Sequence, residues 1–441
     1  MPFPRLVITE EEPTSLLKDF STFLQCLAEK PVVLTRVAEL LPPEFLFRIN
    51  QKMTNPDDVS VSSKQRSYKV LHLFYHLALD GKLFQKLAGD KNELFLKASD
   101  RLRLYEELKP SEKYFFLLET LWTDVDWEKL EPGFPLPMLE YAYAALKALG
   151  GMQPGEEISL KNEQSEEPGL PSLFSSLSNF LLYFSLFGFL EVAQDEEETK
   201  RWASKQEFFA KSLTPSSFGV TLGVVLAEAR EPVLWNLPMR RIAGELKPQP
   251  GSPLPHDNPF WMFKRGLGQR RSRANAKAKM GTFGEPFFLP FVPFFAEREL
   301  QRTLPRVLSG FVDGTYVFKV SLRGSVWRRI EISADDTLLS LHRAIQDAFD
   351  FDDDHLYAFY MDGKRFSRVA FLSPDDEEGP HVNEVKIGEL SLYVGQRILY
   401  LFDFGDEWHF QVRLEDIHTG GTKPQKPRIA EVKGKAPSQY R

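Results

Sequence analysis

The stretch DFGDEWH, Asp403–His409, separates two runs in which apolar and polar residues alternate. The first run spans residues 397–402 and the second spans residues 408–417. Alternation of period two on both sides of a glycine-containing turn predicts a β-hairpin. We expect Gly405 to supply the left-handed backbone that such a turn needs. The hairpin would then gather acidic side chains, an imidazole and an indole at its tip.

The same alternation predicts further strands upstream. In residues 316–322 the apolar side chains occupy every second position, which is typical of a half-buried strand. After a turn at Gly324, residues 326–332 alternate again, and Arg328 falls on their aliphatic face. An uncompensated guanidinium in a core is very costly, so we expect Arg328 to be paired if it is buried.

A single main helix is predicted within this region. Residues 338–349 place their apolar side chains on one stripe, and residues 335–337 provide capping candidates. His342 lies on or beside the stripe. It could be a ligand or a catalytic group, or it could be a core histidine that is hydrogen-bonded within the fold. Residues 355–360 then alternate as a strand, and an Asp-Gly turn at 362–363 predicts a second hairpin. Together these elements predict a mixed α+β domain of five or six strands.

Four motifs in this order resemble the family named for the third open reading frame of plasmid pRiA4b, also called insertion-sequence passenger TnpR-like proteins. They are the strand VWRRI from Val326, the helix from Leu338, the pair His355-Leu356 and the turn ending in Trp408-His409. The resemblance covers about residues 316–434. It implies an α+β roll-like domain with an antiparallel sheet and an association with plasmids and mobile elements. It implies no proven catalysis.

Two departures from the family's pattern bear on any metal site. This chain has Ser325 where the family often has a proline, and Tyr357 where it commonly has a second histidine. A metal site would lose a ligand through these changes. The chain also lacks a close-spaced motif such as His-Glu-x-x-His. No cofactor is predicted, and the sequence leaves metal binding undetermined.

The candidate functional cluster contains residues whose chemistry suits either catalysis or fold stabilisation. These are Arg328, His342, His355, Asp403, Asp406, Trp408 and His409. Carboxylate and imidazole groups are suitable ligands for zinc or manganese, so a metal-dependent hydrolase or nuclease is one hypothesis. The alternative is that Asp403, Asp406 and Arg328 form a turn cap or an ion pair that stabilises the hairpin.

The N-terminal part of the chain shows mostly helical spacing from about residue 13 to residue 245. In two places, residues 68–99 and 177–214, a helical segment is followed by a glycine turn, a short strand, a polar tip and a return strand. This order fits winged-helix modules. Helical-bundle packing with surface hairpins explains the same pattern, and both interpretations stay open.

Residues 246–309 differ in composition from both flanks and predict a proline-rich and basic linker. Residues 264–279 hold seven basic side chains and no acidic one. They are Lys264, Arg265, Arg270, Arg271, Arg273, Lys277 and Lys279. This basic segment could neutralise phosphates of a nucleic acid, or it could simply keep a linker solvated. The apolar residues 287–295 are expected to dock on a domain surface or on a partner.

The composition favours a folded protein of several domains. A length of 441 residues exceeds what one hydrophobic core usually serves. We expect a helical region at 1–245, the linker, an α+β domain at 310–434 and a tail at 435–441. The single cysteine, Cys26, excludes intrachain disulfides and predicts a small buried apolar residue.

The composition also limits the kinds of binding partner that we predict. No run approaches the roughly 18 apolar residues of a membrane helix, and the N-terminus lacks a signal-peptide pattern. A soluble, cytoplasmic protein with no membrane partner is therefore predicted. The net charge of −7 confines any nucleic-acid binding to a local patch. Our leading hypothesis is a non-enzymatic protein that binds nucleic acid or a protein partner.

Overall fold

The structure is a computed structural model of the full chain. It describes residues 5–36, 38–89, 93–131, 135–160, 170–201, 208–243, 245, 247–254, 284–306, 311–322, 325–367, 369–377 and 379–440. The basic segment 264–279 and the predicted turn at Gly324 lie outside these residues. The chain divides into two compact units. The first comprises residues 1–85, 96–243 and 248–305, and the second comprises residues 86–95, 244–247 and 306–441.

The first unit is mainly helical, as predicted. Its longer helices are Leu16–Ala28, Pro43–Asn50, Lys69–Asp80, Asp100–Glu106, Pro110–Glu119, Pro135–Leu149, Asn179–Leu186 and Ser217–Ala229. Shorter helices are Trp127–Leu130, Leu170–Ser175, Glu196–Arg201, Pro232–Trp235 and Leu237–Ile242. Cys26 is buried in the first of these helices, which agrees with its predicted role as an apolar residue. Across the described residues, every helix is too short or too polar to cross a membrane.

The chain also contains two three-stranded sheets of short strands. One sheet has the order Val32–Val33, Leu94–Ala98, Phe84–Ala88, and the other has the order Ile158–Ser159, Ala210–Pro215, Leu190–Gln194. The order of helix, strand and return strand that the sequence predicted therefore occurs in both places. A winged-helix role for these elements stays a prediction, because this order of elements also occurs in helical bundles with surface hairpins.

The apolar segment at 287–295 packs within the first unit. A 3-10 helix, Leu289–Phe294, places the ring of Phe291 4.8 Å and that of Phe295 5.5 Å from the ring of Phe115. The fully buried guanidinium of Arg230 donates to the carbonyl of Phe287 and to the carbonyl of Pro286, each at 2.9 Å. The prediction that this segment docks on a domain surface is confirmed.

The second unit contains one seven-stranded antiparallel sheet and one long helix. The strands are β1 (Thr315–Leu322), β2 (Val326–Ser333), β3 (Tyr357–Tyr360), β4 (Ala370–Leu372), β5 (Arg397–Phe402), β6 (Trp408–His418) and β7 (Arg428–Lys433). The helix α1 spans Leu338–Phe349. Neighbouring strands follow the order β4-β3-β5-β6-β1-β2-β7. The predicted α+β domain with an antiparallel sheet is therefore confirmed at this level.

The strand count differs from the predicted five or six because short or exposed strands give a weak signal. Strand β4 has three residues, and all six residues of β7 are exposed, so neither shows the alternation of burial that marks a half-buried strand. Helix α1 agrees with its prediction. Thr337 caps its N-terminus by accepting the backbone N–H of Ser340, and Asp350 ends it in the left-handed conformation.

The sheet has two different faces. Side chains of one face form the main core together with helix α1, and this inner face includes Phe318, Ile330, Tyr400 and Phe410. The opposite, outer face carries charged side chains on β1, β2 and β6 and a small apolar cluster of Ala358, Tyr360 and Leu401. The alternation of the sequence thus decides which residues point toward α1.

Candidate functional site

A chain of hydrogen bonds crosses the core of the second unit and centres on His342. The Nδ1 atom of His342 lies 2.7 Å from Oη of Tyr400, and its Nε2 atom lies 2.8 Å from Oδ1 of Asp353. Gln346 donates from Nε2 to the same Oη at 2.8 Å. The ring of Tyr357 stacks on His342, with centroids 3.7 Å apart and planes 3° from parallel. We call the buried residues His342, Tyr400 and Gln346, together with the half-exposed Asp353 at their outer end, the buried relay.

One arrangement of protons satisfies the three hydrogen bonds of the buried relay. Tyr400 accepts from Gln346 and donates to Nδ1 of His342, so the neutral ring donates from Nε2 to the Asp353 carboxylate. Burial of the ring, which is 0% exposed, lowers the pKa of His342 to about 4. The charge and the hydrogen bond of Asp353 raise this pKa, but by less than burial lowers it. Burial likewise raises the pKa of Tyr400 well above its usual range. His342 is thus a neutral, hydrogen-bonded core residue at neutral pH.

The sequence indicates His342 as a candidate residue but does not indicate its hydrogen-bond partners. Tyr357 and Tyr400 alternate onto the inner face, and Gln346 lies one helical turn after His342, so each position was visible as inward-facing. Asp353 lies in an aspartate-rich stretch that ends the helix, where charge alone does not distinguish it from its neighbours. Only the fold shows which of these aspartates reaches the imidazole.

Arg328 is buried at 4% exposure and is paired with backbone carbonyls. Its Nε atom donates to the carbonyl of Ala348 at 2.7 Å, and its Nη1 atom donates to those of Trp327 and Lys433 at 3.0 Å and Gly434 at 3.2 Å. Its guanidinium carbon lies 4.6 Å from the ring centroid of Phe349. The expectation that a buried Arg328 is paired is met, but the predicted ion pair with the hairpin aspartates is wrong.

Asp403 organises the turn at the tip of the β5–β6 hairpin. Its Oδ1 atom accepts the backbone N–H of Gly405 at 2.8 Å and that of Asp406 at 3.3 Å. The predicted turn cap is therefore present. The left-handed positions are Asp403, with φ 58°, and Glu407, with φ 53°, and not Gly405 as predicted. Aspartate tolerates this conformation because its short side chain bonds the local backbone.

The remaining members of the candidate cluster lie on different sides of the hairpin. His355 reaches Asp403, with Nε2 3.5 Å from Oδ2. Trp408 faces inward, where its ring centroid is 4.9 Å from that of Phe351. His409 is exposed on the outer face, with Nε2 4.0 Å from a Glu407 oxygen, and Asp406 is exposed at the tip. The fold brings His355 and Asp403 together, whereas His342 and Arg328 make their hydrogen bonds with other residues.

No group of three or more histidine, cysteine, aspartate or glutamate side chains within the described ranges is placed to hold a metal ion. The metal ligands of the hydrolase hypothesis would be His355, Asp403, Asp406 and His409, and the fold does not bring all four together. Asp403 and His355 are adjacent, while His409 lies on the other face of the sheet. The described residues therefore give a metal centre no support.

Replacing Asp403 with alanine is expected to lower the free energy of unfolding by about 1–2 kcal/mol, whereas asparagine should change it by less than about 0.5 kcal/mol. Alanine loses the cap of the turn and disfavours the left-handed backbone, but asparagine retains both an acceptor oxygen and tolerance of that conformation. Urea denaturation of the two variants checks this. Equal destabilisation by asparagine would mean that the negative charge, and its contact with His355, stabilises the hairpin.

The C-terminal residues also contact this end of the sheet. The Nε2 atom of Gln439 donates to the carbonyl of Asp352 and to Oδ1 of Asp354, each at 3.1 Å, and its Oε1 atom accepts the Asp352 backbone N–H. Tyr440 donates to the second carboxylate oxygen of Asp354. The sequence predicts only a tail at residues 435–441, with no role in the site.

The second unit is an α+β domain that matches a known family. Residues 314–439 match the family described as plasmid pRiA4b ORF-3-like protein, which confirms the resemblance for this region. The uncharacterized protein y4hQ of Sinorhizobium fredii is 30% identical over 120 residues. That alignment covers 26% of this chain and 58% of y4hQ, so this chain spans little more than half the length of that relative.

A solved structure is also similar in sequence. The protein of unknown function MM3350 from Methanosarcina mazei is 28% identical, over 29% of this chain and 74% of its own. The TM-score is 0.26. The family match concerns residues 314–439 and does not extend to an activity.

Proposed function

We propose that this chain is a non-enzymatic binding protein whose second unit serves as an interaction domain. The support for this proposal is that members of the candidate functional cluster already form hydrogen bonds within the fold. A general base must come within hydrogen-bond reach of a substrate, but both ring nitrogens of the fully buried His342 are bonded to Tyr400 and Asp353. Arg328 is likewise bonded to carbonyls, and Asp403 caps a turn.

Nucleic acid is the partner that we propose first. The basic segment 264–279 carries seven positive side chains in an otherwise acidic protein, and such a cluster releases counterions when it contacts phosphates. The two helix-strand-strand arrangements at residues 69–98 and 179–215 support winged-helix modules as a further part of this proposal. The resemblance to a plasmid-encoded family supports an association with mobile elements.

A protein partner is the second candidate, and the β5–β6 tip favours it. Phe404 is 37% exposed and the adjoining Leu356 is 41% exposed, beside the carboxylates of Asp354 and Asp406. Exposed apolar side chains with charged neighbours are common at protein-binding surfaces. A metal-dependent hydrolase or nuclease is the alternative class of function, and the separation of His409 from His355 and Asp403 gives it no support.

Equilibrium binding of the full-length protein to labelled DNA and RNA, single- and double-stranded, tests the first candidate. The comparison is with a variant in which all seven basic residues of 264–279 are glutamine. We expect binding that weakens as salt rises, and weaker binding with a smaller salt dependence for the variant. Absence of binding by the unmodified protein would reject nucleic acid as the partner and turn the search to proteins that dock on the tip.

A further inference from the structure

Four basic side chains stand in one line across the outer face of the sheet. The register pairs Arg397 on β5 with Arg413 on β6, Arg413 with Lys319 on β1, and Lys319 with Arg329 on β2. All four alternate with core residues and therefore share the outer face. We call these residues the cationic row. It spans three inter-strand spacings, or ~14 Å.

Such a row is unfavourable for the sheet by itself. Like charges directly opposite each other on neighbouring strands destabilise the pairing. Burial lowers the pKa of Arg413, and the adjacent charge of Arg397 lowers it further. In the part of the chain that the structure describes, Arg397 and Lys319 form no ion pair with a carboxylate. A feature that weakens the isolated fold is often retained for binding, and here the complementary ligand would be a polyanion.

Ion pairs with carboxylates are concentrated at one end of the cationic row, and Glu415 also acts on Arg413. Arg329 donates to Glu415 at 2.8 Å and to Glu431, and Arg428 on β7 pairs with Glu331 at 2.6 Å. These acidic partners neutralise the β2–β7 edge. The positive charge is therefore concentrated on β5, β6 and β1.

An aromatic side chain adjoins the row. Trp327 on β2 lies opposite Ser321 on β1, which in turn lies opposite Gln411 on β6. The ammonium of Lys319 is 4.5 Å from the Trp327 ring centroid, and the guanidinium carbon of Arg329 is 5.4 Å from it. One row of the outer face thus offers positive charge, and the next offers an indole and two polar groups.

Single-stranded nucleic acid has the chemistry that fits these two rows. Its backbone carries one negative charge per nucleotide, and its bases are free to stack on aromatic rings and to bond polar side chains. Sheet faces with basic and aromatic side chains recognise single strands in this way. Duplex DNA presents no unstacked bases to Trp327, and an acidic peptide would use the cations but not the indole.

We propose that the outer face of β5, β6, β1 and β2 binds single-stranded nucleic acid, with the cationic row contacting phosphates and Trp327 stacking on a base. This inference rests on the proposed nucleic-acid function and assigns it to residues other than those of the basic segment 264–279. Arg397, Arg413 and Lys319 supply the charge, and Arg329 helps to orient Trp327.

The test uses the full-length protein and short labelled DNA and RNA strands of mixed sequence. One variant is Arg397→Gln/Lys319→Gln, and a second is Trp327→Leu. The control is Lys364→Gln/Lys426→Gln, which removes the same charge from two exposed positions off the cationic row. Removing one cation that neutralises a phosphate of a single strand should reduce the slope of log K against log salt by about 0.7, so the first variant's slope should fall by about 1.4.

Three results would support the inference together. The slope falls by the stated amount for the double variant and does not change for the control. Trp327→Leu weakens binding roughly fivefold or more with an unchanged slope, because stacking is not a charge effect. The double variant melts at the same temperature as the parent protein or higher, because repulsion between strands is relieved. A lower melting temperature would instead mark the row as structural and contradict a binding role.

The remaining outcomes separate this inference from the proposed function. If the parent protein binds and the outer-face variants bind equally well, the inference is overturned, while nucleic-acid binding stands and belongs elsewhere on the chain. If the parent protein binds no nucleic acid, the proposed function fails as well. If polyglutamate of matched charge competes as well as the oligonucleotide, the face is a site for acidic peptides and the single-strand proposal is overturned.

Discussion

Replacing Arg328 with methionine is expected to lower the free energy of unfolding of the second unit by about 3 kcal/mol. Methionine preserves the apolar stem but removes every donor to the carbonyls of Ala348, Lys433 and Gly434. A buried acceptor left without a donor costs about 1–3 kcal/mol, and relaxation or entry of water limits the sum over several acceptors. Methionine also removes the cation–π interaction of the guanidinium with Phe349.

The neighbouring Arg329 provides a matched control for this substitution. It lies on the outer face, is 33% exposed, and pairs with Glu415 and Glu431. Partly exposed ion pairs of this kind contribute less than about 1 kcal/mol, so Arg329→Met should have a small effect. Urea denaturation followed by tryptophan fluorescence measures both variants. Equal destabilisation by the two substitutions would contradict the structural role assigned to Arg328.

Acidification is expected to remove about 3 kcal/mol of stability through His342. Its pKa is about 4 in the folded protein and about 6.5 when unfolded, so the unfolded chain binds more protons between these values. Stability therefore rises with pH through this window. The contribution is fully present above pH 6.5 and is lost as the pH falls toward 4. Protonation would also place a second donor against Tyr400, which already accepts from Gln346.

A His342→Gln variant isolates this contribution from other titrating groups. The difference in unfolding free energy between the parent protein and the variant should shrink by about 2 kcal/mol between pH 7 and pH 4.5. NMR titration of the ring provides a direct value. Asp353→Asn should lower the pKa of His342 further, because Asp353 raises it. A His342 pKa of 6 or above in the folded protein would contradict the buried relay.

The elements of the second unit were predictable because local patterns determine them. Strands β1, β2, β5 and β6 alternate over six residues or more, and helix α1 has a continuous apolar stripe with a threonine cap. The Asp403 cap could also be inferred, because an aspartate beside a glycine commonly bonds the turn backbone. Strand β4 is the return strand of the predicted second hairpin, but its position was not predicted, and β7 was not predicted at all. A short or fully exposed strand has no periodic burial.

The site was less predictable because it depends on contacts between distant parts of the chain. His342 and Tyr400 are 58 residues apart, and Arg328 bonds carbonyls that are more than 100 residues away. The cationic row is determined by the register of four strands, which the sequence alone leaves open. Gly405 illustrates a different failure. Glycine permits a left-handed backbone, but the local hydrogen bonds allow Asp403 to adopt it instead.

The most direct test of the central claim measures two quantities over a salt series, with and without added manganese or zinc. They are the affinity of the full-length protein for labelled nucleic acid and the fraction of that nucleic acid that stays intact. A non-enzymatic binding protein should show affinity that falls linearly on logarithmic axes as salt rises, and the nucleic acid should remain intact under all conditions. Metal-dependent cleavage would contradict the account and restore the hydrolase or nuclease hypothesis. Intact nucleic acid without binding at low salt would equally contradict the assignment of nucleic acid as the partner.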